Sequence, residues 1–177
     1  MNERVMVIDD EQDLVDNTVL QLQMNHITCR GETDPEAAVE SFRLDPTDVV
    51  IVDYLFPTRT LTDGLEVISQ LQSIKPFTQF ILISGKIDPD LDEESLTEEL
   101  RKIIKADRYF RKPVDLHELV DTVRAALQTI EEKSQEWRSI ADAYVEKGKV
   151  SAEEARELNE RIKAHVAAAV DETEEEL

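Results

Sequence analysis

The most constraining feature of this sequence is a short apolar run that ends in a carboxylate. Residues Val49 to Val52 are all apolar, Asp53 follows them, and Pro57 prevents the strand from continuing. An apolar run in which no polar residues alternate with the apolar ones is typical of a strand buried on both faces, as in parallel sheets covered by helices. Because function in such sheets gathers outside the carboxyl ends of the strands, Asp53 is a candidate functional residue.

Four further apolar runs alternate with helical patterns along the chain. Strands are predicted at residues 4–8, 26–29, 49–53, 80–83 and 108–111. Helical patterns begin at Asp13, Pro35, Asp63-Gly64, Leu96 and Asp115. This alternation predicts an α/β fold, in which right-handed crossovers wrap helices around a parallel sheet.

Composition narrows the class of protein. Forty acidic against twenty basic residues give a formal charge of −20, which argues against a nucleic-acid partner. The single cysteine, Cys29, excludes an internal disulfide and is typical of a small buried strand residue in a reducing compartment. The first strand starts almost at Met1, and no apolar run approaches membrane-spanning length. We therefore expect a soluble, cytoplasmic protein without a membrane partner.

Polar residues follow the predicted strands and converge on one edge of the sheet. They are Asp9 and Asp10 after the first strand, Asp53 after the third, Ser84 after the fourth and Lys112 after the fifth. Three carboxylates this close repel one another unless a hard divalent cation lies among them. Oxygen ligands favour Mg²⁺, and a metal faced by a hydroxyl and an ammonium is typical of phosphoryl transfer.

These motifs resemble the receiver domain of bacterial two-component response regulators. The resemblance covers residues 1 to about 128 and includes Asp9-Asp10, Asp53 with Pro57, Asp63-Gly64, Ser84, Tyr109 and Lys112-Pro113. It implies a doubly wound, five-stranded parallel sheet of the flavodoxin-like (βα)5 type, with strand order 2-1-3-4-5. It also implies Mg²⁺-dependent transfer of a phosphoryl group from a sensor histidine kinase or a histidine phosphotransfer protein. Such a protein is a switch rather than a turnover enzyme.

The resemblance assigns roles on the acceptor side of the site. Asp53 would accept the phosphoryl group and contribute to the metal site. Asp10 would bind Mg²⁺ directly, Asp9 would act through water or hydrogen bonds, and the Leu55 carbonyl would be a further ligand.

On the opposite side, Ser84 would bond a phosphoryl oxygen. Lys112 would form a salt bridge to the same group, with a cis Lys112-Pro113 peptide directing the ammonium into the site. Tyr109 would turn inward as Ser84 moves toward the phosphate. The alternative for Tyr109 is an ordinary edge-strand aromatic.

Two departures from the family leave partner docking and phosphate lifetime open. Five residues, 58–62, separate Pro57 from Asp63, where the family usually has two. The segment between Ser84 and Lys112 is also longer than usual and strongly acidic.

A helical extension at residues 129–177 follows the predicted receiver domain at residues 1–128. Apolar residues from Leu116 to Tyr144 recur every three or four positions, which predicts one helix from about Asp115 to about Lys147. A turn near Gly148, a returning helix from Ser151 and an acidic tail complete a predicted hairpin. Because this hairpin covers its apolar stripe thinly, we expect a coiled-coil homodimer, with a monomer whose hairpin folds onto its own receiver as the alternative.

Three outputs are consistent with this organisation. The first is a phospho-switch without a DNA-binding output, whose extension mediates self-association or docking. The second is a phosphorelay carrier that passes the phosphoryl group onward. The third is a helical scaffold in which His165 accepts phosphate, although Val166 and the alanines after it differ from the lysine and glycine that histidine phosphotransfer modules tend to have.

Overall fold

A five-stranded parallel sheet forms the centre of the protein. The computed structural model describes residues 4–57, 63–76, 78–85, 108–146 and 153. The strands are β1 (Val5–Ile8), β2 (Cys29–Glu32), β3 (Val49–Asp53), β4 (Gln79–Ser84) and β5 (Tyr109–Arg111), in the spatial order β2-β1-β3-β4-β5. All four neighbouring pairs are parallel, so the predicted α/β class and strand order are confirmed.

Four helices are described: α1 (Gln12–Met24), α2 (Pro35–Leu44), α3 (Gly64–Ile74) and α4 (Leu116–Glu146). Asp34 and Asp63 cap α2 and α3, because their side chains accept hydrogen bonds from the first backbone N–H groups of each helix. The helix predicted near Leu96 and the hairpin predicted beyond Lys147 lie outside the described residues. None of the described helices is both long and apolar enough to cross a membrane.

The sheet separates two hydrophobic cores because its central strands are buried on both faces. Every residue of β1 and β3 is buried, as the unbroken apolar runs predicted. One core packs α2 and α3 on the sheet through Phe42, Val67, Ile68 and Leu71, and the other packs α1 and α4 through Val15, Leu22, Leu119 and Val123. With helices on both faces, the carboxyl ends of the strands form the open edge at which a site can be built.

The second strand lies three residues later than the sequence predicted. The sequence pattern predicts a strand at residues 26–29, but β2 begins at Cys29 and pairs with β1 as far as Glu32. His26 adopts a left-handed conformation (φ 62°) in the turn that ends α1. Gly31 argues against a strand in the sequence, because glycine is rare in strand interiors. The structure requires glycine here, because a Cβ atom would overlap the Val15 side chain of α1.

The fourth helix, α4, is unbroken and continues well past the described residues that pack on the sheet core. The predicted span of about 115–147 agrees with α4, whose 31 residues extend about 46 Å. Leu119, Val120, Val123 and Ala126 are buried, and Ile130 is the farthest residue along the helix that packs on this core within the described part of the chain. The 16 residues of α4 that follow Ile130 make up more than half of the helix.

Candidate functional site

Three carboxylates meet at the carboxyl edge of the sheet. Asp9 directly follows β1 and Asp53 ends β3; because Ile8 pairs with Val52, the two acids lie side by side. Asp9, Asp10 and Asp53 each offer a carboxylate oxygen, and these atoms all lie within 4.8 Å of one another. Asp9 and Asp53 are buried, whereas Asp10 is partly exposed. The cluster is therefore open to solvent on the side of Asp10 and enclosed by the protein on the side of Asp9 and Asp53.

The environment disfavours negative charge on the two buried acids. Burial raises the pKa of Asp53 to about 6, and the charge of Asp9 adds to the effect, while Lys112 and the Tyr54 N–H only partly oppose it. Burial also raises the pKa of Asp9. A bound divalent cation would stabilise both charged forms. Since all the donor atoms are oxygens, the cluster fits Mg²⁺, and these carboxylates are the groups that would hold it.

Lys112 closes the cluster from the β5 side. Its backbone N–H donates to the Ser84 carbonyl at 2.9 Å, and the Lys112-Pro113 peptide is cis, as predicted. The ammonium Nζ lies 2.7 Å from Glu11 Oε1, 2.9 Å from Asp9 Oδ2 and 3.5 Å from Asp53 Oδ1. Burial alone would lower the pKa of Lys112, but the hydrogen bond to Glu11, the close contact with Asp9 and the charges of Asp9 and Asp53 outweigh it and raise the pKa above its usual value.

Ser84 and Tyr109 occupy the strands beside the acceptor. Ser84 is the last residue of β4 and is buried, and Asp53 pairs with its neighbour Ile83. Tyr109 is the first residue of β5 and packs, partly buried, against the core under α2 and α3. Ser84 therefore lies at the edge that carries the carboxylates, while Tyr109 lies opposite Leu82, two residues further back along β4.

The start of α3 packs directly on the acceptor strand. The Gly64 N–H donates to the Tyr54 carbonyl at 2.8 Å, and Leu55 and Asp63 form an isolated antiparallel bridge. A Cβ atom at Gly64 would overlap the carbonyl oxygen of Asp53. The Asp63-Gly64 pair therefore has two functions, since the aspartate caps the helix and the glycine permits the close approach. The Leu55 carbonyl remains only a predicted ligand.

The family of this chain follows from a match to a known domain. Residues 5–124 match the response regulator receiver domain. The chain belongs to this family. The matched region contains all five strands, the carboxylate cluster and Lys112, so the family assignment predicted from the sequence is confirmed.

Curated relatives of this receiver domain are response regulators. The chain is 26% identical over 131 residues to the alkaline phosphatase synthesis transcriptional regulatory protein PhoP of Bacillus subtilis, covering 74% of this chain and 51% of that protein. It is 29% identical over 124 residues to the response regulator ArlR of Staphylococcus epidermidis, covering 70% and 52%. The chain thus spans about half the length of the curated relatives it matches.

Solved receiver domains share the fold at low sequence identity. The receiver domain of the Francisella response regulator 1452 superposes with a TM-score of 0.59 at 23% identity, covering 72% of this chain and 98% of that one. The receiver domain protein of Methanospirillum hungatei JF-1 gives 0.62 at 17% identity, covering 75% and 98%. At 23% and 17% sequence identity, these structures show that the fold is shared and no more.

Glu11 is the residue of this receiver domain that sequence reasoning missed. Its carboxylate makes the shortest of the three contacts to the Lys112 ammonium. It occupies the N-cap position of α1, but its side chain makes no capping hydrogen bond. The available signal was its place directly after Asp9 and Asp10, in a cap position that Ser, Thr, Asp or Asn usually fills.

Proposed function

We propose that this receiver domain accepts a phosphoryl group on Asp53 from the phosphohistidine of a sensor histidine kinase or a histidine phosphotransfer protein. The observation that carries the proposal is a buried acid at a strand end, flanked by two further carboxylates and faced by an ammonium 3.5 Å away. This arrangement supplies a nucleophile, oxygen ligands for a divalent cation and a positive charge for the group being transferred. Membership of the receiver family supports the same assignment.

The proposed reaction is an in-line displacement at phosphorus. A carboxylate oxygen of Asp53 forms the new P–O bond as the P–N bond to the donor imidazole breaks, and the leaving nitrogen keeps the electron pair. Lys112 offsets negative charge on the phosphoryl oxygens, and the Ser84 hydroxyl donates a hydrogen bond to one of them. Mg²⁺, held by Asp9, Asp10, Asp53 and the Leu55 carbonyl, would supply further positive charge when bound.

The direct test is phosphorylation by a small donor with a P–N bond. With phosphoramidate and Mg²⁺, the intact mass of the protein is expected to increase by one phosphoryl group. With phosphoramidate and excess EDTA it should stay unchanged, because the carboxylate cluster then lacks its counter-charge. Modification that proceeds equally well in EDTA, or no modification in Mg²⁺, would contradict the proposal.

We propose that the phosphorylated receiver acts through protein–protein contacts. A formal charge of −20 supports protein partners over nucleic acid. Ser84 and Tyr109, on the adjacent strands β4 and β5, would carry the change from the site to the surface, with Ser84 closing on the phosphoryl group and Tyr109 moving inward. The helical extension would carry the output. A phosphorelay carrier remains the alternative function.

The extension is also proposed to join two copies of the chain. The support is the length of α4, which continues to Glu146, 16 residues past Ile130, the farthest described residue that packs on this core. Apolar residues in the sequence keep recurring over that stretch, and exposing each would forfeit roughly 1.5–3 kcal/mol. A second copy would complete a four-helix bundle with the predicted returning helix.

Light scattering tests this arrangement. The full-length protein is expected to have the mass of a dimer at micromolar concentration, and a version that ends at Gln128 the mass of a monomer. A monomeric full-length protein over that range would rule out the dimer. A shortened version that cannot fold would instead indicate that the hairpin packs on its own receiver.

A further inference from the structure

The ammonium of Lys112 lies nearer to the β1 side of the site than to the acceptor. It donates a hydrogen bond to Glu11 at 2.7 Å and forms an ion pair with Asp9 at 2.9 Å. The distance to Asp53 is 3.5 Å, which is too long for a good hydrogen bond. The ammonium that the proposed transfer needs beside Asp53 is therefore held more closely by Glu11 and Asp9.

Glu11 is free to make this contact because it caps α1 with its backbone alone. The Glu11 N–H donates to Asp9 Oδ1 at 2.9 Å, which holds the start of the helix against the carboxylate cluster. The Glu11 side chain makes no capping bond and reaches across to Lys112 instead. The glutamate side chain is 64% exposed, so its carboxylate stays hydrated when it loses the ammonium, whereas Lys112, only 16% exposed, stays within the site.

We propose that Glu11 is a positioning residue that competes with Asp53 for the Lys112 ammonium and thereby slows phosphorylation. The inference rests on the proposed role of Asp53 as acceptor. A phosphoryl group on Asp53 adds negative charge on the other side of Lys112, and the ammonium moves from Glu11 to that group. Glu11 thus sets how readily the resting site changes to the phosphorylated one.

Phosphorylation rates of two variants test the competition. Glu11→Gln removes the charge, and Glu11→Asp keeps the charge but shortens the reach to Lys112. Both are expected to be phosphorylated by phosphoramidate at saturating Mg²⁺ about two- to fivefold faster than the wild type, as the loss of an exposed ion pair implies. If Glu11 only repelled the donor through its charge, Glu11→Asp would match the wild type, and the proposal would be wrong.

Asp13→Asn is the matched control, since Asp13 is exposed in the first turn of the same helix and is not among the described carboxylates that contact Lys112. Its rate should equal that of the wild type. An increase in Asp13→Asn as large as in Glu11→Gln would also overturn the proposal.

The resting contact can be tested without any phosphorylation. A water-soluble carbodiimide joins a carboxylate to an amine it touches, and mass mapping identifies the pair. We expect a Glu11–Lys112 amide in the metal-free protein, reduced at least severalfold by Mg²⁺ with beryllofluoride. The Lys75–Asp48 pair, with a distance of 2.9 Å at the opposite edge of the sheet, is the internal reference and should not change.

The outcomes separate this inference from the proposed function. A Lys112 that cross-links only to Asp9 or Asp53 would overturn the role of Glu11 whether or not Asp53 is phosphorylated. Equal phosphorylation rates in the wild type and both Glu11 variants would also overturn that role alone. A wild type that is never phosphorylated would contradict the proposed function, and the competition with it.

Discussion

Replacing Asp53 by Asn is expected to reduce phosphorylation of the protein to background. The amide has nearly the same shape as the carboxylate, so the fold should be preserved, but it lacks the anionic oxygen that would attack phosphorus. Asp9, Asp10, Ser84 and Lys112 all remain in the variant. A complete loss would therefore assign the nucleophile to Asp53 rather than to the cluster as a whole.

Intact-mass measurement with phosphoramidate and Mg²⁺ gives the result, with Asp13→Asn as the control for the same chemical change at an exposed acid. The control should be modified as fully as the wild type. Reduction of the acyl phosphate with borohydride, followed by peptide mapping, would locate the modified residue. Modification that persists in Asp53→Asn, or a label that maps to another residue, would refute the assignment.

The parts of this structure that sequence predicted well follow from burial and topology. The apolar runs of β1, β3 and β4 admit few alternatives, because strands of that composition need cover on both faces. Once the sheet is parallel, every strand that enters it points its carboxyl end to the same edge. The approach of Asp9, Asp10 and Asp53 is therefore predictable from their places after strands β1 and β3.

The parts that sequence did not predict depend on contacts between distant residues. The contact between Glu11 and Lys112 joins positions 101 residues apart and depends on where two long side chains point. Asp63-Gly64 was recognisable as a helix start, but the overlap that a side chain at Gly64 would cause with the Asp53 carbonyl is a tertiary property. The β2 boundary was misplaced for a similar reason, because α1 packs closely over Gly31.

The same Asp53→Asn variant is expected to be more stable than the wild type when no divalent cation is present. The pKa of Asp53 rises from 3.8 to about 6 in the folded protein, chiefly through burial and also through the charge of Asp9. Because the folded protein disfavours the ionised form of Asp53, the stability that this residue contributes is fully present below pH 3.8 and is lost as the pH rises through about 6. Asparagine does not ionise and avoids this loss.

The stability difference between variant and wild type should therefore grow with pH and then level off. It should be small near pH 4, increase up to about pH 6 and reach about 3 kcal/mol above it, as the rise of the Asp53 pKa from 3.8 to about 6 implies. Lys112 loses only its longest contact in the variant, since Glu11 and Asp9 still hold the ammonium. Urea denaturation in EDTA across this pH range measures the difference.

Mg²⁺ and a control variant test whether the charge of Asp53 causes the stability difference. Adding Mg²⁺ at pH 8 should narrow the gap, because the cation stabilises the wild type by binding the folded, charged cluster. Asp13→Asn should show no pH-dependent gain of this size, since Asp13 is exposed. A variant that is less stable than the wild type at pH 8 in EDTA would mean that the contact with Lys112 outweighs the burial of Asp53. The resting site would then be held together by the acceptor's charge, whereas we expect that charge to destabilise it until a cation binds.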